Sequence, residues 1–317
     1  MPAYYPTRSG FQPMRIQARP GSVAEQRYLL KSALPGLAWP SPKVIAKGIN
    51  PAPLDDLMYH GGKVVPQMEF QNIYLGTTAD WAERDITSID SAIKRAMQDK
   101  RLNNMVGQYF PGAALGCDMR DSFIEGGAKP KSMDESAVQA MVTALYDTKK
   151  IARRDLGTAL FNLVLPAGTV LKLDSSTSLN GLGGYHGSMH IQRAGKTITL
   201  YYSANVYSQM LADGRENGIV SFDRPWKSVV GTLYHEINEF RTDPDINDAI
   251  TKNNNDFLGW TSRQGYECGD QPIFEAGASL KLVFKQVKAA GGSTSVPVQF
   301  LYSNAVHGAE GPINAPH

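Results

Sequence analysis

In the first half of the folded region, one strand pattern is followed by two helix patterns. Apolar and polar residues alternate over residues 65–75, which predicts a strand that ends at Gly76. Over residues 85–103 the apolar positions recur at helical spacing, which predicts a helix. A second helix is predicted to begin at Ser132, because Ser132 and Glu135 form a capping-box pattern ahead of an apolar face.

In the second half, strand patterns lie on both sides of one long helix. Residues 159–173 alternate apolar and polar positions around a Pro-Ala-Gly turn, and residues 188–207 predict a hairpin that turns at Ala194 and Gly195. Residues 278–287 and 296–306 predict two further strands. Strands and helices are mixed without regular alternation, so the pattern favours the α+β class with a mixed sheet over a doubly wound sheet.

The start of the chain lacks this periodicity. Residues 1–50 are rich in Pro, Gly and Arg, which predicts an extended N-terminal arm without a core of its own. Residues 51–317 are predicted to form a single α+β domain. The composition, 42% hydrophobic and 20% charged, is ordinary for a globular fold of this size.

Charge and cysteine content exclude several classes of function. The 32 basic and 30 acidic residues leave a net charge of +2, which gives no electrostatic reason to expect nucleic acid as a partner. No stretch of about 18 apolar residues exists, so no membrane span is predicted. The N-terminus shows no apolar core of a secretory signal. Two cysteines, Cys117 and Cys268, cannot form a disulfide framework, and without a CxxC motif a thiolate zinc site is not expected.

The most informative segment is VVGTLYHEINEFRTDPD, residues 229–245. Pro225 suits the first turn of a helix and Asp223 could cap it. At about 100° per residue, His235 and Glu239 lie one above the other on the side opposite the apolar stripe. The stripe consists of Trp226, Val229, Val230, Leu233, Ile237 and Phe240.

This arrangement suits metal-assisted hydrolysis on a zincin-like helix. A histidine and a carboxylate one turn apart can bind one zinc ion, so His235 and Glu239 are predicted ligands. Glu236 is predicted to activate water as the general base. The pattern is that of HExxH with Glu239 in place of the second histidine. The alternative interpretation makes Glu236 and Glu239 solvated charges on a surface helix.

Two positions compete as the third metal ligand. Asp245 follows His235 by ten residues, the spacing of HExxHxxGxxD zinc sites, although Thr242 occupies the position of the turn glycine. Asp270, in the segment GYECGD, could instead fold back to the helix, as could Glu267 of the same segment. The sequence leaves both positions open.

A histidine-glycine segment on the predicted hairpin is a further candidate. Tyr185-His186-Gly187 repeats the pattern of Tyr59-His60-Gly61. One interpretation places His186 and Tyr185 in the substrate-binding cleft, where either could polarise a carbonyl group. The other is a glycine turn with a hydrogen-bonded histidine. Cys117 is predicted to be a buried structural thiol rather than a nucleophile.

Several segments together resemble a known family. MYHGGKV, GLGGYHGSMH, the helix segment, GYECGD and VQFLYSNAVHG, in this order over about residues 57–308, resemble the exordium or phosphate-induced protein family. Microbial relatives carry His-Glu-x-x-Glu followed by Thr-Asp-Pro, which corresponds here to His235, Glu236, Glu239, Thr242, Asp243 and Pro244.

The resemblance implies a zinc metallopeptidase acting on a peptide or protein substrate. Relatives are mostly secreted, so export is expected as well. Plant members lack the His-Glu pair and are extracellular growth-related proteins. They therefore imply the alternative of a non-catalytic binding protein at the cell surface.

Overall fold

A six-stranded mixed sheet forms the centre of the structure, a computed structural model that describes residues 46–292 and 294–311. The strands are β1 (Leu57–Tyr59), β2 (Gln67–Leu75), β3 (Gly116–Met119), β4 (Phe123–Glu125), β5 (Ser132–Met133), β6 (Ala159–Val164), β7 (Val170–Leu173), β8 (Ser176–Thr177), β9 (Gly184–Arg193), β10 (Lys196–Asn205), β11 (Trp260–Ser262), β12 (Phe284–Lys288), β13 (Ser295–Gln299), β14 (Leu301–Ser303) and β15 (Gly308–Glu310). The helices are α1 (Asp85–Gln98), α2 (Lys100–Asn103), α3 (Glu135–Asp147), α4 (Trp226–Thr242), α5 (Ile246–Lys252) and α6 (Asp270–Ala276).

The sheet is parallel except at one edge. Its order is β3-β2-β6-β10-β9, with β4 also paired to β2. The pairs β2–β3, β2–β4, β2–β6 and β6–β10 are parallel, whereas β9 runs antiparallel to β10. The predicted hairpin is confirmed, because β9 and β10 are joined at Ala194 and Gly195, both with positive φ, as a type I′ turn requires.

Helices cover both faces of this sheet, which explains why its central strands read as apolar runs. On β6, Phe161 and Leu163 pack with α3, whereas Leu160 and Val164 pack on the opposite side with α1 and α4. The α+β class with a mixed sheet is thus confirmed. The predicted arm over residues 1–50 lies almost entirely outside the described residues.

Two predicted helix boundaries differ from the structure. The helix predicted over residues 85–103 is interrupted at Asp99, which adopts an extended conformation and caps α2 by accepting a hydrogen bond from the Arg101 amide at 2.9 Å. The capping box at Ser132 is wrong. Ser132 pairs in β5, and Asp134 caps α3 by accepting from the Ala137 amide at 2.9 Å. In both cases an aspartate carboxylate accepts a hydrogen bond from a backbone amide that has no partner within its own helix.

The helix α4 is buried on all sides. Its predicted apolar stripe packs in the core as expected, and Trp226 is its one residue that is not buried. Asp223 does not cap it, because that carboxylate pairs with Lys227 at 2.8 Å. Glu236 and Glu239 are each 0% exposed, so the interpretation of these residues as solvated surface charges is wrong. Their burial requires compensating partners.

The structure also bears on the predictions about a membrane span and a disulfide. In the described part of the chain, no helix has the length and apolar character needed to cross a bilayer. Cys117 and Cys268 are both buried and both free, so they do not form a disulfide. Burial raises the pKa of the Cys117 thiol to about 11, which agrees with a structural thiol rather than a nucleophile.

Candidate metal centre

Two segments from distant parts of the chain place ionisable side chains against α4. The antiparallel edge strand β9 contributes His186, and the segment that leads into α6 contributes Glu267 and Asp270. None of the side chains in this cluster is more than 9% exposed. The cluster consists of His186, His235, Glu236, Glu239, Asp243, Glu267 and Asp270.

The first group of metal-ligand atoms contains His235, Glu239 and Asp270. One ligand atom from each lies within 4.8 Å of the other two. His235 Nε2 is 2.9 Å from Glu239 Oε2 and 3.9 Å from Asp270 Oδ1. All three atoms are buried, and among the described residues their close contacts are with one another rather than with other hydrogen-bonding groups. A cation bound between them would compensate this cluster of buried polar atoms.

Gln299 fixes the orientation of the His235 ring. Its Oε1 lies 2.7 Å from His235 Nδ1, while its Nε2 donates to the Gly269 carbonyl at 2.6 Å. This second contact identifies Oε1 as the atom facing the imidazole, so Nδ1 carries the proton and donates it. Nε2 is thereby directed at the carboxylates of Glu239 and Asp270. Metal-ligating histidines show this pattern of an outer hydrogen bond.

A second group shares Glu239 with the first. His186, Glu236 and Glu239 also offer ligand atoms within 4.8 Å of one another, and neither group contains both histidines. His186 Nδ1 is 3.4 Å from Glu236 Oε2 and 3.7 Å from Glu239 Oε2. Because His186 Nε2 donates to the Asp243 carbonyl at 3.2 Å, Nδ1 is the atom available to the two carboxylates.

Several acidic side chains of the cluster lie close together where water is excluded. Burial raises the pKa of Glu236, although its hydrogen bond with His186 opposes the rise. Burial, together with the charge of Glu239, holds the pKa values of Glu267 and Asp270 well above their usual range. A bound cation would oppose these rises and favour the ionised carboxylates.

Burial has the opposite effect on the pKa values of the two histidines. Burial by itself lowers the pKa of His235, but the charge of Glu239 outweighs this effect and raises the pKa to about 10. For His186 burial again lowers the pKa, and the contact with Glu236 raises it above its usual value. Both rings therefore lie in a strongly negative environment, which also attracts a divalent cation.

Close packing holds the first group in place. A Cβ atom on Gly269 would lie 2.4 Å from His235 Nδ1 and 2.8 Å from Glu239 Oε1, so only glycine fits there. The Gly269 amide also donates to Glu239 Oε1 at 3.1 Å, which leaves Oε2 as the free oxygen. The donor set of one imidazole and two carboxylates, each oriented by a neighbouring group, fits zinc.

The structure separates the two candidate third ligands. Asp270 lies with His235 and Glu239, whereas Asp245 belongs to neither group. The Asp245 carboxylate instead accepts a hydrogen bond from the Tyr201 hydroxyl at 2.9 Å. The helix α4 ends at Thr242, and beyond it the side chain of Asp245 contacts Tyr201 of β10 instead of the ligand groups.

The two substrate-binding candidates, His186 and Tyr185, lie on different faces of β9. His186 lies in the cluster, whereas Tyr185 points to the other face of β9, because side chains alternate along a strand. Tyr185 packs there against Tyr202, with the ring centroids 6.3 Å apart. The structure therefore brings His186, but not Tyr185, to the site.

Sequence reasoning missed Gln299 and the carbonyl of Asp243. Gln299 ends β13, a strand otherwise composed largely of apolar residues, and is 1% exposed. A buried amide in an apolar strand is a recognisable signal, since such a group needs a specific partner. The partner itself could not be read from the sequence.

Comparisons with known proteins add no family assignment. The chain matches no protein-family model, no curated protein and no solved structure. The functional conclusion therefore depends on the site.

Proposed function

We propose that the protein is a zinc-dependent hydrolase that cleaves peptide bonds. The observation that carries this proposal is the convergence of His235 Nε2, Glu239 Oε2 and Asp270 Oδ1, all buried and all directed at one another. These three residues would hold one zinc ion. Bound zinc supplies a Lewis acid that polarises a carbonyl group and makes water more acidic.

The residues around the ion have distinct roles in this proposal. Glu236 adjoins the ligand His235 in the sequence and is not needed in the first group, so its carboxylate is available as the general base. His186 contacts Glu236 at 3.4 Å and would position that carboxylate. Gln299 holds the ring of His235 through Nδ1.

The choice of a peptide substrate follows the sequence pattern. HExxH helices are typical of zinc peptidases, and this helix keeps the adjacent His and Glu residues with Glu239 in place of the second histidine. The resemblance to microbial relatives of the exordium family supports the same substrate class. Export, and a peptide or protein as substrate, remain parts of this proposal.

Glu236→Gln tests the proposal directly. The protein as purified is expected to contain one zinc ion per chain by elemental analysis, and the variant is expected to keep it. Cleavage of a mixed peptide library, followed by mass spectrometry, should fall by about 10²- to 10⁴-fold. Glu125→Gln, which alters the surface ion pair with Lys150, is the matched control. Full activity in the Glu236 variant would refute the mechanism.

A second candidate function rests on the burial of the cluster. His235, Glu236 and Glu239 are each 0% exposed, and closed metal sites are typical of structural rather than catalytic zinc. The protein would then be a non-catalytic binding protein at the cell surface, stabilised by its metal. Stoichiometric zinc without peptide cleavage by the wild-type protein would favour this candidate.

A further inference from the structure

Arg241 is a buried cation on the side of α4 away from the metal centre. Helical geometry turns it by about 200° from Glu239. Arg241 is 1% exposed, and its Nη2 donates to the Gly116 carbonyl at 3.3 Å. Among the described residues its Nε and Nη1 atoms, which are buried, find no oxygen acceptor, and the Cys117 thiol is the side chain beside the guanidinium. An arginine stays protonated in proteins, so these buried groups carry a large desolvation cost.

No acidic side chain compensates this charge. Within the described ranges, no carboxylate oxygen lies within the 4.0 Å of an ion pair with Arg241. The nearest ionisable neighbour is the thiol of Cys117. Burial raises the pKa of that thiol to about 11 despite the adjacent charge, so the thiol is neutral at pH 7 and supplies no negative charge.

Arg241 also lines a cavity. The cavity has a volume of about 540 Å³ and lies between α1, α2 and β3. Its wall combines the apolar Met97 and Leu115 with the amide of Asn103, while the exposed Lys100 and Asp118 also line it. The charges of those two cancel, so Arg241 determines the net charge of the cavity. Its volume is in the range of small-molecule sites.

We propose that this cavity binds a small organic molecule through one oxyanion group, a carboxylate or a phosphate, which pairs with Arg241. An anion in the cavity would compensate the charge of the guanidinium, a group that recognises planar carboxylates and phosphates well. The apolar wall residues would contact the rest of the ligand. The site is separate from the metal centre and does not depend on the proposed hydrolase activity.

Titration of the full chain with two simple anions tests the site. Sodium phosphate and sodium hexanoate are compared with sodium chloride at equal ionic strength, by calorimetry and by thermal unfolding. At least one of the two probes is expected to bind more tightly than chloride and to raise the unfolding temperature. Binding of phosphate alone identifies a phosphate ligand, and binding of hexanoate alone identifies a carboxylate. If neither binds more tightly than chloride, the proposal is overturned.

Arg241→Met provides the decisive variant. It keeps an unbranched stem and removes the charge, so the affinity for the bound probe should fall by about tenfold or more. The unliganded variant should unfold at the same or a higher temperature, because an unpaired buried charge is removed. Wild-type affinity in this variant would show that the anion binds elsewhere, for example at the metal centre, and would overturn the proposal.

Two exposed residues keep the test decisive if Arg241→Met does not fold. Lys100→Gln should weaken binding of the probe roughly two- to fivefold, and Asp118→Asn should strengthen it to a similar degree. Lys94→Gln, an exposed change on α1 outside the cavity, is the control and should have no effect. If Lys100→Gln and Asp118→Asn both leave the affinity unchanged, the cavity is not the binding site.

Discussion

Gln299 holds His235 through a hydrogen bond of 2.7 Å between residues 64 positions apart in the chain. The carbonyl of Gly269 fixes the amide of Gln299 in turn, at 2.6 Å. This chain of contacts fixes Nδ1 as a donor and directs Nε2 at two carboxylates. A side chain on β13 thus orients the histidine of α4 in the way that the proposed metal site requires.

Replacing Gln299 should weaken metal binding without removing a ligand. In Gln299→Leu the His235 ring loses its acceptor at Nδ1, so both the tautomer and the ring angle become variable. The dissociation constant for zinc, measured by competition with a chromophoric chelator, is expected to rise about 10- to 100-fold. Gln192→Leu, an exposed change on β9, is the control. An unchanged zinc affinity in Gln299→Leu would contradict this role.

The two aspartates proposed as third ligand should behave differently. Asp270→Asn removes a carboxylate from the first group, so zinc affinity should fall beyond the roughly 100-fold that outer partners of ligands contribute. Asp245→Asn changes only the contact with Tyr201 and should leave the zinc content unchanged. Elemental analysis after dialysis distinguishes them. Loss of zinc from the Asp245 variant alone would reverse the assignment.

A single methyl group at Gly269 should disturb the metal centre. In Gly269→Ala the new Cβ would overlap His235 and Glu239, and relief of this overlap must move one of the two ligands. We expect the free energy of unfolding to fall by about 1–3 kcal/mol, together with weaker zinc binding. Gly126→Ala is the matched control, because no atom lies within 4 Å of its added Cβ. Denaturant unfolding with and without zinc measures both effects.

Asp99 should contribute stability that is lost in acid. Burial raises the pKa of its carboxyl, but hydrogen bonds from Arg101 and from the Ala290 amide outweigh burial and lower it below its usual value. Because the pKa in the folded state is the lower one, the stabilisation is complete above the unfolded value of about 3.9. It disappears as the pH falls through the folded pKa.

Asp99→Asn measures this contribution. At pH 7 the variant is expected to be less stable than wild type by about 1.5–3 kcal/mol, since the bonds to a charged acceptor are lost. The difference should shrink as the pH falls below about 3.9 and through the folded pKa. Asp256→Asn, at an exposed position, should show little difference at either pH. A difference between the Asp99 variant and wild type that does not change with pH would contradict the role of the carboxylate.

Local spacing was sufficient for much of the fold. The alternation that ends at Gly76, the hairpin turn at Ala194 and Gly195, and the apolar stripe of α4 all appear in the structure as predicted. Each depends on residues within one element or one turn. The interruption at Asp99 was not predictable in this way, because the extended conformation there is stabilised by the distant Ala290 amide.

The sequence by itself determined that His235 and Glu239 share one side of a helix, since the helical repeat fixes residues one turn apart. Only the tertiary structure decided that this side is buried, that Asp270 rather than Asp245 lies beside it, and that Gln299 holds its histidine. Spacing along the chain constrains neighbours over a few residues. Contacts between segments separated by dozens of residues depend on how the sheet, α4 and the segment leading into α6 pack together.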